Sequence, residues 1–276
     1  MVSKSKAAIP YVVLLLISSP LLLFYGWLFM SSFATRTLGL RPLGFTLENW
    51  RFLVEPLPRR PDVWIMTTNT MILTLSFTVL LLFIASAAGY ALSRLRFTGR
   101  RFFLMMTLVL HAFPSVTLLI AIFYVLRALR LYDSLLGVAL VKTALDLPLG
   151  IWIMKGFFDN VSWDIEMASL IDGCSRFQSW YKVILPLIKP GIAALAIFAF
   201  LSGWNEFLLP YIFVPSFKNQ TLSVFLRGLV SGGGEFRFVD YGIVTAVGVF
   251  YIIPVMLFFI FTQRYLLTIY AGGVKG

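Results

Sequence analysis

Between Asp62 and Arg94 the chain runs through 63–93, 31 residues, without one charged side chain. A helix needs about 20 apolar residues to cross the hydrocarbon of a bilayer, so a run of this length belongs in lipid. Uncharged runs recur along the sequence and predict spans at roughly 9–33, 64–93, 102–126, 134–154, 191–214 and 241–263. The fourth contains Lys142 and Asp146, and the fifth contains Glu206. Lipid offers no water to a bare backbone, so each run is expected to be helical. The fold expected is an all-α integral membrane protein with six transmembrane helices, one membrane domain over 1–276, with no internal repeat or low-complexity segment.

Only 13% of the 276 residues are charged and 59% are hydrophobic, against about 25% charged in soluble domains. The net charge of +11 would suit nucleic acid, but the basic residues lie in short loops between apolar runs. That is how membrane proteins set orientation, and no nucleic-acid partner is expected. Cys174 is the single cysteine, which excludes an internal disulfide. Lys4 and Lys6 precede the uncharged stretch 7–35. Ser32-Phe33-Ala34 faintly resembles a cleavage site, but a secretory signal has an apolar region of only about 7–15 residues. A retained anchor is expected.

With the start inside, twelve of the 23 Lys and Arg fall on the cytoplasmic side, ten outside and Lys142 within a span. The count alone barely decides. The short loop 94–101, Arg-Leu-Arg-Phe-Thr-Gly-Arg-Arg, carries four arginines and no acid, and short loops dominate the rule. Both termini are therefore expected in the cytoplasm. The outer segments would be 34–63, broken by Pro42, Pro56, Pro58 and Pro61, and 215–240, with the flexible Gly232-Gly233-Gly234.

The loop 155–190 has a mixed character found nowhere else in the chain. Ser162 is a plausible N-cap, followed by acids in the first turn of Trp163-Asp164-Ile165-Glu166, where the helix dipole favours them. Gly173 stands where a helix would end in a left-handed residue. At about 100° per residue, Trp163, Met167, Leu170 and Ile171 share a stripe, and Ser169 and Asp172 face away. Ser175-Arg176-Phe177-Gln178 fits a capping box and starts a second helix running to Leu185-Pro186. The pattern alone leaves two readings open: a hairpin that only anchors the loop in the membrane interface, or a docking element.

Glu166-Met167-Ala168-Ser169-Leu170-Ile171-Asp172-Gly173-Cys174-Ser175, then Ile184-Leu185-Pro186-Leu187 and Pro190-Gly191, resembles the EAA loop of ABC-importer permeases. Met167 departs from the usual alanine, a change of volume and not of charge. Asn69, Ala88-Gly89-Tyr90-Ala91-Leu92-Ser93-Arg94, Phe97-Thr98-Gly99-Arg100, Trp204-Asn205-Glu206-Phe207 and the tail Ala271-Gly272-Gly273-Val274-Lys275-Gly276 resemble carbohydrate permeases of the maltose-transporter type, the six-span subunit of the pair. The resemblance implies type I ABC-importer architecture with a cytoplasmic coupling helix in 155–190. It also implies a second permease subunit, two cytoplasmic ATPase subunits, an extracytoplasmic sugar-binding protein and a place in the plasma (inner) membrane. The solute would be a di- or oligosaccharide, with another small solute such as glycerol phosphate as the alternative.

No G-x-x-x-x-G-K-[ST] phosphate loop occurs. The chain is therefore expected to be no enzyme and to bind no cofactor, leaving ATP and Mg to the ATPases. Trp163, Glu166, Ala168, Leu170, Asp172 and Gly173 are the expected coupling residues, on a helix rooted by Trp163 and Leu170, with Glu166 and Asp172 available to the motor. Gly272, Gly273, Lys275 and Gly276 are the expected ATPase-interface tail, the alternative being a frayed end. Trp204, Asn205 and Glu206 are candidates for the solute path. Alternatively, Asn205 and Glu206 bind the partner subunit or cap a kink before Pro210. A charge at helix centre costs at least about 2.5 kcal/mol, so Glu206 must face an interior or a watery path. Lys142 and Asp146, four apart, can pair. His111 precedes Pro114 and suits packing at a kink better than a proton relay, and no metal ligand set exists. A secondary transporter would usually show inverted repeats. A membrane enzyme would need Glu206, Asp146 and His111 to be less scattered.

Overall fold

The structure, a computed structural model, describes residues 4–57, 60–231 and 241–272, with side chains from Pro10 to Gln263 within those ranges. Among the described residues four helices are long and apolar enough to cross a membrane: α1 (Lys4–Ser32), α2 (Val63–Arg94), α5 (Leu135–Asp159) and α12 (Tyr241–Gly272). Two bent pairs bring the number to six if each counts as one span. In the first, α3 (Arg100–Ala112) and α4 (Leu119–Ala128) meet at 90°. Phe113 precedes Pro114 and takes extended backbone, φ −77° and ψ 130°, as the proline ring requires. The run expected to be one helix over 102–126 is therefore broken.

In the second pair, residues 176–187 meet α9 (Lys189–Trp204) at 80°. The first arm joins α7 (Arg176–Gln178), a π turn over Ser179–Ile184 and α8 (Leu185–Leu187). The turn widens just before Pro186, whose ring would press on the Lys182 carbonyl in a regular helix. The expected fifth span, 191–214, breaks again after Trp204 and resumes as α10 (Leu208–Phe213). Two shorter helices are also present among the described residues, α6 (Trp163–Ile171) and α11 (Leu222–Val230).

The chain forms two compact units. One comprises 1–64 and 225–254. After α1 it holds a hairpin, β1 (Arg36–Leu38) against β2 (Arg41–Leu43), and a 3-10 turn over Glu48–Leu53. Buried Asn49 donates from Nδ2 to the carbonyls of Ser32 (3.1 Å) and Ala34 (2.9 Å), satisfying groups that the end of α1 leaves open. Phe33 stacks on Trp50 and Trp50 on Phe52, whose ring meets Phe250 edge-on.

The other unit comprises 65–224 and 255–276, with α5 at its centre, packed on α3, α9 and α10. Helices in lipid associate through close packing of small residues more than through a hydrophobic drive. Gly89 of α2 lies so close to α5 that an added Cβ would meet the Met154 Cβ at 2.9 Å and the Lys155 amide at 3.0 Å. Gly191 of α9 has the Phe157 ring where its Cβ would be, at 2.3 Å. Trp152 of α5 donates from Nε1 to Thr107 of α3 at 2.8 Å. Asn69 holds the segment before α11 by donating to the carbonyls of Lys218 (2.8 Å) and Gln220 (3.0 Å).

Candidate functional site

The Gly89 approach brings the end of α2 against the end of α5. Tyr90 and Arg94, one turn apart, then share a face directed at residues 158–176. Arg94 is almost fully buried, with 2% of its side chain exposed. Its Nη2 donates to the carbonyls of Phe158 (2.9 Å) and Val161 (2.6 Å), so a guanidinium closes the carbonyl end of α5, the end where a cation is favoured. Ser93 donates to Asp159 Oδ1 at 2.6 Å, and Lys155 pairs with the same carboxylate.

Glu166, on α6, answers that buried charge. Its side chain is 0% exposed, with Oε2 at 3.1 Å from Arg94 Nε. That approach lies off the N–H direction, so it is a charge contact and leaves both atoms without an aligned hydrogen bond. Glu166 Oε1 accepts from the Tyr90 hydroxyl at 2.7 Å. The Trp163 ring covers Arg94, 5.1 Å from its Cζ to the ring centre. One turn on, Ser169 bonds the Glu166 carbonyl (2.7 Å) and lies 2.6 Å from the Ser179 hydroxyl, tying α6 to the π turn.

The two caps form as the sequence predicts. Ser162 accepts from the Asp164 amide, and Ser175 and Gln178 close a reciprocal capping box. Gly173 has φ +90°. Its amide bonds the Leu170 carbonyl, and the Cys174 amide reaches back to Ser169, a Schellman turn.

Two expectations fail here. Glu166 is not available to a partner, because burying a carboxylate demands a cation beside it and Arg94 supplies one from within the chain. The stripe is also reversed. Glu166 and Ser169 face inward, Leu170 is half-buried, and Trp163, Met167 and Ile171 are exposed together with Ala168 and Asp172. Ile171 is 85% exposed. The polar face is inside because it meets a buried arginine, not water. The sequence presents Tyr90 and Arg94 within the second-span resemblance and Arg94 as an orientation charge, and does not show that both meet Glu166. Their i, i+4 spacing beside Gly89 was the available signal.

A second polar cluster lies among the spans. Lys142 pairs with Asp146 (3.1 Å) and with Glu206 (3.0 Å). Ser202 donates to Asp146 at 3.1 Å, and Glu206 Oε1 accepts the Leu209 amide at 3.1 Å, where α10 begins. The expected Lys142–Asp146 pair and the expected cap before Pro210 are both present. Trp204 is fully buried and stacked on Phe200, so it offers no open ring face. Asn205 donates to the Leu201 carbonyl at 2.9 Å. His111 stands at the Pro114 bend as expected but is exposed, not packed. With Lys142, Asp146 and Glu206 it lines a recess of about 260 Å³. Gly272 lies at the last described turn, and Gly273, Lys275 and Gly276 fall outside the described residues.

The family described as binding-protein-dependent transport system inner membrane component matches residues 81–267. The chain belongs to this family. The sulfoquinovosyl glycerol transport system permease protein SmoH of Agrobacterium fabrum is 37% identical over 209 residues, 75% of this chain and 72% of that protein. The diacetylchitobiose uptake system permease protein NgcG of Streptomyces coelicolor is 30% identical over 94% of this chain and 85% of its own length. A bacterial ABC transporter that imports the acidic polysaccharide alginate has a chain with TM-score 0.78 and 24% identity, covering 95% of this chain and 96% of that one, which establishes the fold. The chain is thus an ABC-importer permease, an inner membrane component working with other subunits, and not an enzyme. The matched region contains both the buried Arg94–Glu166 root and the Lys142 cluster.

Proposed function

We propose that this permease is one of two that together carry a di- or oligosaccharide inward, driven by two cytoplasmic ATPases and fed by an extracytoplasmic binding protein. ATP and Mg would be held by the ATPases and not by this chain. Both termini and the hairpin 163–187 would lie in the cytoplasm, a side supported by the four arginines of the short loop 94–101. The observation that carries the reading is the hairpin. A short helix is fixed to the ends of two spans by a fully buried carboxylate–guanidinium contact, while Trp163, Met167 and Ile171 stand outward. Such an element transmits force because its root is stiff and its face is open. Gly173 and the exposed Asp172 shape the turn beside that face. The names of SmoH and NgcG, both borne by permeases for sugar-containing solutes, support a saccharide as the cargo.

The test is purification of the chain from its native membrane followed by reconstitution. An ATPase subunit is expected to remain bound through washing. With binding protein and ATP, the assembled complex should accumulate labelled disaccharide in vesicles, and the chain alone should move none. Uptake by the isolated chain refutes the proposal.

A further inference from the structure

The second cluster is built for more than pairing. Two helix breaks open at one place: the 90° bend at Phe113–Pro114 and the interruption between α9 and α10 that Glu206 caps. Irregular backbone at membrane depth is tolerated where it lines a cavity or is buried in protein, and solute sites in transporters sit at such broken helices. The recess between them holds Lys142, Asp146, Glu206, His111, Ser115 and Phe113. Its volume of about 260 Å³ lies just below the roughly 300–1,000 Å³ of drug-sized ligand sites, enough for one sugar ring at a time.

We infer that this recess is a solute subsite of net negative charge that admits uncharged saccharides and rejects anionic ones. The inference rests on the proposed sugar-import function. Its charge balance is one ammonium against two carboxylates. Lys142 is fully committed: it pairs with Asp146 and Glu206 and its ammonium lies 5.6 Å over the Phe77 ring. No lysine or arginine other than Lys142 lines the recess to receive a carboxylate, sulfonate or phosphate. Hydroxyl groups fare differently. Carboxylate oxygens accept them in charge-assisted bonds, the His111 ring supplies a donor and an acceptor, and Phe113 offers an apolar surface to the carbon side of a pyranose. An anionic sugar would bring a like charge within a few ångströms of an unneutralised carboxylate in a medium less polar than water.

The charge is readable without knowing the sugar. In the assembled transporter carrying Cys174→Ser, Ser115→Cys places one thiol at the recess. It is labelled in parallel with the cationic trimethylammonioethyl and the anionic sulfonatoethyl methanethiosulfonate, each rate normalised to that on a small free thiol. The normalised cationic rate should exceed the anionic by about tenfold, and Asp146→Asn should shrink that ratio several-fold. Trehalose, maltose or diacetylchitobiose should slow labelling, whereas the corresponding uronates should not. Equal normalised rates, an unchanged ratio in Asp146→Asn, or protection by a uronate overturns the inference. If the wild-type complex takes up no saccharide of either kind, the sugar-import reading fails, and with it the inference; the rate ratio still reports the charge of the recess separately. Glu206→Gln repeats the ratio measurement if Asp146→Asn fails to assemble.

Discussion

Removing the Glu166 charge tests the stiffness on which the coupling argument depends. Glu166→Gln keeps an oxygen for the Tyr90 hydroxyl, so that 2.7 Å bond survives, while the partner charge of Arg94 disappears. Arg94 then remains buried at 2% exposure, held by two carbonyls and the Trp163 ring. Breaking a buried pair from one side costs about 3–5 kcal/mol. The retained carbonyl bonds place this case at the lower end, about 3 kcal/mol, which is roughly a hundredfold in the equilibrium for the hairpin lifting off its root. Glu166→Ala also leaves the Tyr90 hydroxyl only a long 3.5 Å approach to the Arg176 carbonyl, which adds about 1 kcal/mol.

Hydrogen exchange of the α6 amides in the purified complex measures this directly, since local opening shows as lost protection. The double variant Arg94→Met, Glu166→Gln should recover part of the loss, because with the guanidinium gone no unpaired charge stays buried, although the Phe158 and Val161 carbonyls lose their donor. A double-mutant cycle isolates the coupling, expected at about 2–3 kcal/mol. If Glu166→Gln changes protection by less than about threefold, or if the two single effects simply add, the buried pair does not hold the hairpin. The stiff root would then have to be abandoned as the means of force transmission.

Gly173→Asp places a side chain at φ +90° where no atom lies within 4 Å of the added Cβ, so its cost is backbone strain alone, about 1–2 kcal/mol. ATPase retention and uptake should fall several-fold, with Gly173→Asn milder because asparagine tolerates this region, and normal uptake in Gly173→Asp would contradict docking through this turn. Gly89→Ala forces α2 and α5 apart at the Met154 contact, costs about 1–3 kcal/mol, and should loosen α6 exchange although Gly89 touches neither Glu166 nor Arg94. Deleting 271–276 should lower sugar-stimulated ATP hydrolysis while the complex stays assembled; unchanged stimulation would make that segment a frayed end.

What the sequence disclosed and what it withheld follow from the range of the forces involved. The long apolar runs, the Ser162 and Ser175 caps and the Gly173 turn are legible because each is decided within a few residues, by lipid solvation or by one turn of backbone. The two breaks were half legible. Pro114 and Pro210 announce trouble, but a proline states only where a helix cannot continue and not the 90° through which the next one turns. The Lys142–Asp146 pair was legible at i, i+4, whereas Glu206, 64 residues further on from Lys142, was brought to it by the fold.

The reversed face of α6 is the instructive miss. Amphipathic reading assumes that the apolar stripe is the one a chain buries against itself. Here the inward position of Glu166 is set by Arg94, 72 residues earlier, because a guanidinium closing a helix end out of water requires a carboxylate more strongly than a methionine requires a neighbour. The apolar residues were left outward by that electrostatic demand. On the proposed function, the apolar stripe left outward beside a satisfied polar face is the surface that would receive another subunit. By that reasoning, Ile171→Asp, a charge placed on the most exposed position of the stripe, should release the ATPase, while α6 exchange compared between ATPase-free wild-type and variant permease should be unchanged. Loss of protection in α6 instead would mean that Ile171 supports the hairpin and does not form its docking face.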